Sequence, residues 1–185
     1  MRIVRTLLPG CHLLDLPNSR DARGTFVKTF HSAAFAALGL ESVVAECFYS
    51  VSERDVVRGL HFQAPPTDHA KLVYCLSGRM LDAVVDLRVG SPTYGGHACA
   101  PLAGGGAQAV YVPRGVAHGF RALEAGTIVA YQTSTVHAPD HDSGVRWDSA
   151  GIDWGVTSPL VSERDARLVP LSDLESPFVW RPAGS

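Results

Sequence analysis

Short apolar stretches separated by turn residues run along most of this chain, and this pattern constrains its fold more than any other feature. Lys71–Cys75 and Met80–Leu87 are β-rich apolar segments, and Leu76-Ser77-Gly78 between them has the composition of a hairpin turn. Further short strands are predicted at Ala109–Val112, Gly119–Leu123 and Thr127–Thr133. Several short strands at this spacing predict an all-β sandwich, jelly roll or barrel.

The rest of the chain contains little that predicts helix. Only Ser32–Leu38 has a helical pattern, with Ser32 as its N-cap and Gly39 as its stop. From Pro139 onward the chain is rich in Asp, Ser, Gly and Pro, which predicts irregular structure wrapped around the barrel. The sequence has no repeat or linker, so residues 1–185 are predicted to form one domain.

Composition excludes several classes of function. A formal net charge of -2 offers no electrostatic footprint for a nucleic acid polymer or an anionic membrane. The four cysteines are scattered and form no Cys-x-x-Cys pair, which is typical of reduced residues in a cytosolic protein. The apolar N-terminal run is broken by Arg5 and then by Pro9-Gly10, so it is not expected to be a signal peptide, and apolar runs elsewhere are shorter than a membrane span. We therefore predict a cytoplasmic protein.

The segment from Arg58 to Lys71 concentrates the reactive side chains. It contains Arg58-Gly59-Leu60-His61-Phe62-Gln63 and then Ala70-Lys71-Leu72-Val73. In a strand, side chains an even number of steps apart share a face, so one hairpin can direct several of these groups into one cavity. A base, a guanidinium fork and a fixed cation are what proton abstraction beside a carbonyl of a phosphorylated substrate requires.

Each candidate residue also has an ordinary structural interpretation. A lone histidine such as His61 is more often a satisfied core residue, although its place between Arg58 and Lys71 favours function. Tyr131 lies in an alternating strand, where a buried aromatic is usually core. Four further histidines are interpreted as surface residues: His69, His97, His137 and His141. The residues alone thus predict a barrel with a basic, histidine-containing pocket, while Arg23, His118 and Asp165 remain open between a turn or packing role and function.

One turn carries a resemblance to cupins. Pro113-Arg114-Gly115-Val116-Ala117-His118-Gly119-Phe120 resembles the second cupin motif, a Pro-x-Gly-x-x-His turn that leads into a strand. In metal-binding cupins the first motif supplies His-x-His and a Glu, whereas here His61-Phe62-Gln63 supplies one imidazole. Stable binding of a transition metal usually requires three or more protein ligands. A metal-free cupin without a cofactor is therefore favoured.

A longer series of motifs appears in order between about Arg23 and Asp165. These motifs are Asp21-x-Arg23-Gly24-x-Phe26, Arg58–Gln63, Ala70–Val73, Val84–Arg88, Ser91–Gly95, Pro113–Phe120, Tyr131, Gly144–Trp147 and Ser162-x-x-Asp165. Together they resemble the dTDP-4-dehydrorhamnose 3,5-epimerase family. The resemblance implies a cupin jelly roll with short peripheral helices, which acts without metal or cofactor as a homodimer with an exchanged N-terminal segment. It also implies epimerisation at C3, C5 or both of a nucleotide-linked 4-keto-6-deoxyhexose through an enolate.

The resemblance assigns roles to four residues at the reacting centre. His61 would be the base, and Asp165 would fix the tautomer and orientation of its ring. Lys71 would stabilise the developing enolate charge near O4, and Tyr131 would donate a proton on the opposite face.

The resemblance also assigns substrate-binding residues. Arg58, together with Arg23 of the partner subunit, would hold the pyrophosphate, and His118 would contact the sugar. Further substrate contacts are expected at Phe26 and Gln63, and at six positions that differ from the usual family residues. These positions are Lys28 in place of Glu, Glu46 and Phe48 in place of Gln and Asn, His137 in place of Tyr, Asp142 in place of Glu, and Arg164 in place of Lys.

The changed positions predict altered recognition rather than lost activity. Lys28 carries only donors and cannot accept the N3–H of thymine or uracil, which raises the hypothesis of another nucleotide, with CDP ahead of GDP. The alternative is that Lys28 faces solvent or a phosphate and dTDP is retained. Two further functions stay open: a 3,4-ketoisomerase on the same scaffold, and a non-catalytic cupin that binds nucleotide sugars. The intact Arg58–Gln63 motif and Tyr131 favour epimerisation over ketoisomerisation. The joint retention of His61, Lys71, Tyr131 and Asp165 argues against a protein that only binds.

Overall fold

Two antiparallel sheets and a separate hairpin make up the fold. The computed structural model describes residues 1–182. In that range the strands are β1 (Arg2–Leu8), β2 (Cys11–Asp15), β3 (Asn18–Asp21), β4 (Gly24–Val27), β5 (Glu46–Ser52), β6 (Val57–Gln63), β7 (Lys71–Ser77), β8 (Arg79–Asp86), β9 (His97–Ala103), β10 (Gln108–Val112), β11 (Val116–Ala122), β12 (Thr127–Thr133) and β13 (Asp142–Gly144). The short helices are α1 (Ser32–Ala37), α2 (Glu163–Ala166) and two 3-10 turns, Pro139–His141 and Leu171–Asp173.

The strand order places neighbours that are distant in sequence side by side. The larger sheet has the order β1-β2-β10-β7-β12-β5, and the smaller has the order β13-β6-β11-β8-β9. β3 and β4 pair only with each other. This architecture confirms the prediction of an all-β cupin jelly roll with short peripheral helices. The prediction of a single domain over residues 1–185 stays a prediction, and its last three positions lie outside the described residues.

The inner faces of the two sheets form the central core. Val73 and Val110 of the larger sheet pack in one cluster with Met80, Val84 and Phe120 of the smaller sheet, and all five are almost fully buried. Their alternation along the strands is the period-2 pattern seen in the sequence. Inward-facing positions of β7, β11 and β12 are therefore fixed by the apolar residues two steps away.

The outer faces are covered by segments outside the sheets. Phe35 of α1 packs with Leu14 and Tyr111 over the larger sheet. Residues 145–178 cover the smaller sheet, where Trp154 and Phe178 join the apolar cluster on its outer face. The sandwich thus has apolar layers on both outer faces as well as between its sheets.

The five predicted strands are present within three residues of their expected bounds, but two predictions need correction: β13 and α2 form in the segment from Pro139 that was expected to be irregular, and the N-cap of α1 is misplaced. The hairpin turn is at Gly78, whose φ of 76° is in the left-handed region that glycine tolerates. The predicted N-cap of the helix, Ser32, is wrong by one position, because Ser32 is the first helical residue and the Nδ1 of His31 accepts the N–H of Ala34 at 3.3 Å. Gly39, with φ of 70°, follows the helix as predicted. Within residues 1–182 the helices are too short to cross a membrane.

The β3–β4 hairpin stands apart from the core. Its residues are exposed except for Val27, which is half-buried. Phe26 at its end has 63% of its surface exposed, which is high for an aromatic side chain.

Candidate active site

A cavity of about 290 Å³ opens between the sheets and brings together most of the predicted site residues. Ten of them line it: Phe48, Arg58, His61, Gln63, Lys71, His118, Tyr131, His137, Asp142 and Arg164. Most of the residues that line the cavity are polar and lie at inward-facing positions, whereas apolar residues fill the rest of the space between the sheets.

Strand register places reactive side chains on both walls of the cavity. His61 of β6 is paired with His118 of β11 in the smaller sheet. Lys71 of β7 and Tyr131 of β12 belong to the larger sheet, where Tyr131 is paired with Val73, two residues from Lys71. His61 and Tyr131 therefore approach the cavity from different sheets.

Two glycines allow the backbones of β6 and β11 to approach closely at this point. A Cβ on Gly59, which has φ of 131°, would lie 2.6 Å from the Cα of Gly119. A Cβ on Gly119 would lie 2.7 Å from the carbonyl oxygen of Arg58. The register shift between His118 and Phe120 occurs here, so both glycines are needed to set His61 opposite His118.

His61 is held by a buried carboxylate. Its Nε2 lies 2.7 Å from Oδ1 of Asp165, whose other oxygen accepts the N–H of Gly59 at 3.1 Å. Burial favours the protonated acid, but the hydrogen bond and charge of His61 outweigh it and lower the pKa of Asp165. Since an ionised carboxylate only accepts, Nε2 carries the proton and Nδ1 keeps a lone pair for base catalysis.

Asp165 is buried rather than lying in a solvated turn. It has 3% of its surface exposed and belongs to the four-residue helix α2. Ser162 caps this helix by accepting the N–H of Asp165 at 3.0 Å. The Ser162-x-x-Asp165 motif therefore acts locally as a cap that directs the carboxylate toward His61.

Lys71 is a fixed cation in the cavity wall. Its Nζ donates to the carbonyl oxygen of His61 at 3.2 Å. Burial is the main cause that lowers the pKa of Lys71 to about 8, with Asp142 opposing the shift and Arg164 adding to it. The ammonium form still predominates at pH 7.

Tyr131 is enclosed by ring contacts. Phe48 stacks on it with centroids 4.8 Å apart and planes 16° apart, and His118 meets it edge-on at 6.1 Å. Its hydroxyl lies 3.4 Å from Oγ of Ser50. Burial raises the pKa of Tyr131 above its ordinary value, so the phenol is protonated and able to donate.

His118 forms a second histidine–carboxylate pair that the sequence analysis missed. Its Nε2 lies 2.7 Å from Oδ2 of Asp82, and the two residues have 3% and 1% of their surfaces exposed. Burial raises the pKa of Asp82, against the opposing effect of His118. The available signal was an acidic residue at an inward position of the apolar strand Met80–Leu87.

Charged groups surround the mouth of the cavity. Arg58 donates to Oγ of Ser52 at 3.1 Å and to the carbonyl of Val51 at 3.2 Å. Arg164 pairs with Asp142 at 2.8 Å. A second cavity of about 370 Å³ shares Arg58, His61 and Arg164 with the first, so an elongated anionic ligand can extend past the base.

Gln63 and Glu46 hold loops at the cavity rim. The amide of Gln63 donates to Thr67 and to the carbonyl of Val136, and it accepts the N–H of Ala138 at 2.8 Å. Glu46 lies outside the lining, but its carboxylate accepts the backbone N–H of His137 at 2.7 Å. These contacts position the loop that carries His137.

Besides Asp165 and Glu46, which lie outside the lining but contact residues that form it, three predicted residues do not reach the cavity of their own chain. Arg23, Phe26 and Lys28 lie on or beside the exposed β3–β4 hairpin, where Arg23 pairs with Asp21 at 2.6 Å. The interpretation of His69 as a surface residue is wrong, because it lines the cavity and its ring nitrogens are buried. His137 also lines the cavity, although its side chain is exposed.

A metal site requires several ligand side chains that converge on one point. Within residues 1–182, three or more His, Cys, Asp or Glu side chains do not converge as metal ligands require. The site described above is built from hydrogen bonds and charge pairs of the protein itself.

Comparison with known proteins gives one consistent result. Residues 5–173 match the family model described as dTDP-4-dehydrorhamnose 3,5-epimerase. The chain is 37% identical over 177 residues to the enzyme of that name from Methanothermobacter thermautotrophicus, which covers 93% of this chain and 95% of the relative. It is 40% identical over 156 residues to the dTDP-4-dehydrorhamnose 3-epimerase of Streptomyces niveus, covering 83% and 75% of the two chains. Its fold matches a crystal structure of dTDP-4-dehydrorhamnose 3,5-epimerase from Bacillus anthracis with TDP and PPi bound, with a TM-score of 0.88, 34% identity and coverage of 91% and 98%.

Proposed function

The chain belongs to the dTDP-4-dehydrorhamnose 3,5-epimerase family, and from this membership we propose how its site works and which substrate it takes. The protein is an isomerase of deoxysugar biosynthesis that epimerises a nucleotide-linked 4-keto-6-deoxyhexose. The observation that carries the mechanism is the oriented pair of His61 and Asp165 on one sheet, with Tyr131 entering the same cavity from the other.

The first step is removal of a proton next to the C4 ketone. Nδ1 of His61 takes the proton from C3 or C5, and the electrons of the broken C–H bond form an enolate with its charge on O4. The imidazolium that results is stabilised by the carboxylate of Asp165 at 2.7 Å. The ammonium of Lys71 stabilises the charge on O4, because it is fixed at the carbonyl of His61 and loses little freedom.

The second step returns a proton from the opposite face. Tyr131 donates its hydroxyl proton to the same carbon, which inverts the centre, and the phenolate is then reprotonated through solvent. An enolate is basic enough to accept a proton from a phenol with a raised pKa. The names of the relatives support two outcomes, epimerisation at C3 alone or at both C3 and C5.

Binding of the nucleotide is proposed to involve two subunits. Arg58 and Arg164 at the mouth supply guanidinium forks for the diphosphate. The exposed β3–β4 hairpin, with Arg23, Phe26 and Lys28, is proposed to cross to a partner subunit and complete its site in a homodimer. Glu46, Phe48, His118, His137 and Asp142 are proposed to form the rest of the substrate-binding surface. Because dTDP appears in the names of the relatives, dTDP is the first candidate for the nucleotide that this chain binds.

The proposal requires neither a metal nor an organic cofactor. Each chemical role is assigned to a side chain of the protein, and the proposal therefore expects full activity after exhaustive chelation. A cytoplasmic location is part of the same proposal, supported by the four free cysteines.

Solvent deuterium exchange tests the function directly. Wild-type protein, incubated in deuterium oxide with a dTDP-4-keto-6-deoxyhexose, is expected to incorporate deuterium at C3, C5 or both. His61→Ala is expected to lose at least about 100-fold in exchange rate, as typical for removal of a general base. His97→Ala, which changes an exposed histidine on β9, is the matched control and should exchange at the wild-type rate.

Three outcomes would contradict the proposal. Near wild-type exchange in His61→Ala would exclude His61 as the base. Migration of the carbonyl from C4 to C3 instead of inversion would identify a ketoisomerase, and binding without exchange in the wild type would identify a non-catalytic cupin.

A further inference from the structure

His69 lies in the cavity wall without a hydrogen-bond partner. Both ring nitrogens are buried, and within residues 1–182 neither is hydrogen-bonded. The other two imidazoles that line the cavity interior, His61 and His118, are each bonded to a carboxylate at 2.7 Å. Buried polar groups in folded proteins are almost always paired, so an unpaired ring beside a binding cavity indicates a contact that forms with a ligand.

The backbone around His69 directs it to the same side as Lys71. Ala70 between them is bonded to Ser134 in both directions, its N–H to Oγ at 3.0 Å and its carbonyl to the backbone N–H at 3.1 Å. Ala70 is buried in the cluster under α1, on the outer face of the larger sheet. In this extended segment its two neighbours share the inner face, where both line the cavity.

The charge of the His69 ring decides which chemical group of the substrate it can bind. Burial, together with smaller effects of Lys71, Arg114 and His137, lowers the pKa of His69 to about 3. The ring is neutral at pH 7 and presents one donor and one acceptor. A sugar hydroxyl both donates and accepts, whereas a phosphate oxygen is better matched by the guanidinium groups of Arg58 and Arg164.

We infer that His69 is a further substrate-binding residue, which hydrogen-bonds a hydroxyl of the sugar ring beside the oxygen held by Lys71. The inference rests on the proposed function, because it takes the sugar to occupy the cavity between His61 and Tyr131. His69 acts on affinity for the sugar and not on affinity for the nucleotide.

Calorimetric titration with two ligands separates these contributions. The ligands are dTDP and dTDP-6-deoxyglucose. The second is a nucleotide sugar without the C4 ketone of the substrate, so it binds but does not react. His69→Leu removes both nitrogens and is expected to weaken binding of the nucleotide sugar about tenfold, the effect of one neutral hydrogen bond, while the Kd for dTDP stays within twofold. His69→Gln restores a donor and an acceptor and is expected to recover most of the loss.

Thermal unfolding and a control variant exclude a purely structural explanation. His69→Leu should unfold at or above the wild-type temperature, because it replaces an unpaired buried ring by an apolar side chain. His97→Leu on β9 should bind both ligands as the wild type does. An unchanged Kd for the nucleotide sugar in His69→Leu, or an equal loss for dTDP, would overturn the inference. A wild type that exchanges no deuterium would instead refute the proposed function, and the two failures are therefore distinguishable.

Discussion

The hydrogen bond between Asp165 and His61 leads to a prediction that can be worked out atom by atom. In Asp165→Asn the side chain keeps its volume but loses its charge and one acceptor. If the amide oxygen faces His61, the amide nitrogen faces the N–H of Gly59. Two donors then meet where, in the wild type, the N–H of Gly59 donates to the carboxylate at 3.1 Å. If the amide is reversed, its N–H forces the proton of the ring onto Nδ1, which can then no longer act as the base.

The size of the effect follows from the type of hydrogen bond lost. A charge-assisted hydrogen bond contributes roughly 1.5–3 kcal/mol, and the carboxylate stabilises the imidazolium that forms when the proton is taken. Each 1.36 kcal/mol changes a rate about tenfold, so the exchange rate should fall by about 10- to 100-fold. This loss is smaller than that of His61→Ala, because an imidazole remains in the cavity.

The assay is deuterium wash-in measured under single-turnover conditions, with enzyme in saturating excess over the ketosugar. Glu163→Gln is the matched control, because Glu163 is an exposed carboxylate of the same helix, 3.1 Å from Arg167. It should exchange at the wild-type rate. An Asp165→Asn enzyme within threefold of the wild type would refute the orienting role.

The same variant also links the site to stability. Because the pKa of Asp165 is lowered in the folded state, its contribution to the free energy of unfolding is present above its unfolded pKa of about 3.9 and is lost as pH falls through the folded value. The difference in unfolding free energy between the wild type and Asp165→Asn should therefore be largest at neutral pH. It should shrink below about pH 4.

Three further predictions follow from the site. Tyr131→Phe should still exchange deuterium with retention but form little inverted product, which NMR of the recovered sugar measures; unchanged inversion would assign the proton donor elsewhere. Because the pKa of Lys71 is about 8, kcat/KM should decline as pH rises through that value. Lys71→Arg should remove the decline, because a guanidinium stays charged. A pH profile that the arginine leaves unaltered would exclude Lys71 as the cause of the decline. Lys28→Glu should shift preference toward dTDP in competition among dTDP, UDP, CDP and GDP if Lys28 contacts the base, whereas tight dTDP binding by the wild type and no change in the variant would refute that hypothesis.

Local pattern predicted the strands β7, β8, β10, β11 and β12, whereas β1 to β5, β9 and β13 were not predicted. Alternation in Lys71–Cys75 and Thr127–Thr133 places Lys71 and Tyr131 inward, because apolar neighbours two residues away must be buried. The N-cap was misplaced because the ring of His31 takes a role usually expected of Ser32. Such errors arise from choices between adjacent residues that have similar local energies.

The partners of the histidines could not be derived from local pattern. Asp165 meets His61 across 104 residues of sequence, and only the return of the C-terminal segment buries it. Asp82 and His69 acquire their roles from neighbouring strands in the same way. The resemblance supplied Asp165 by position, but the burial of Asp165 and the contact with His61 that lowers its pKa despite that burial required the three-dimensional structure.

The segment of residues 145–178 can unfold locally while the two sheets stay folded. Its attachment relies on apolar packing and on isolated contacts, such as the bridge that joins Val56 to Leu160. Segments held in this way open by local unfolding at a lower free energy than the sheets they cover. Opening would carry Asp165 away from His61 while the sandwich stays folded. Catalysis should therefore disappear at lower denaturant concentrations than the β-sheet signal, and a ligand that fills both cavities around Arg164 should bring the two transitions together.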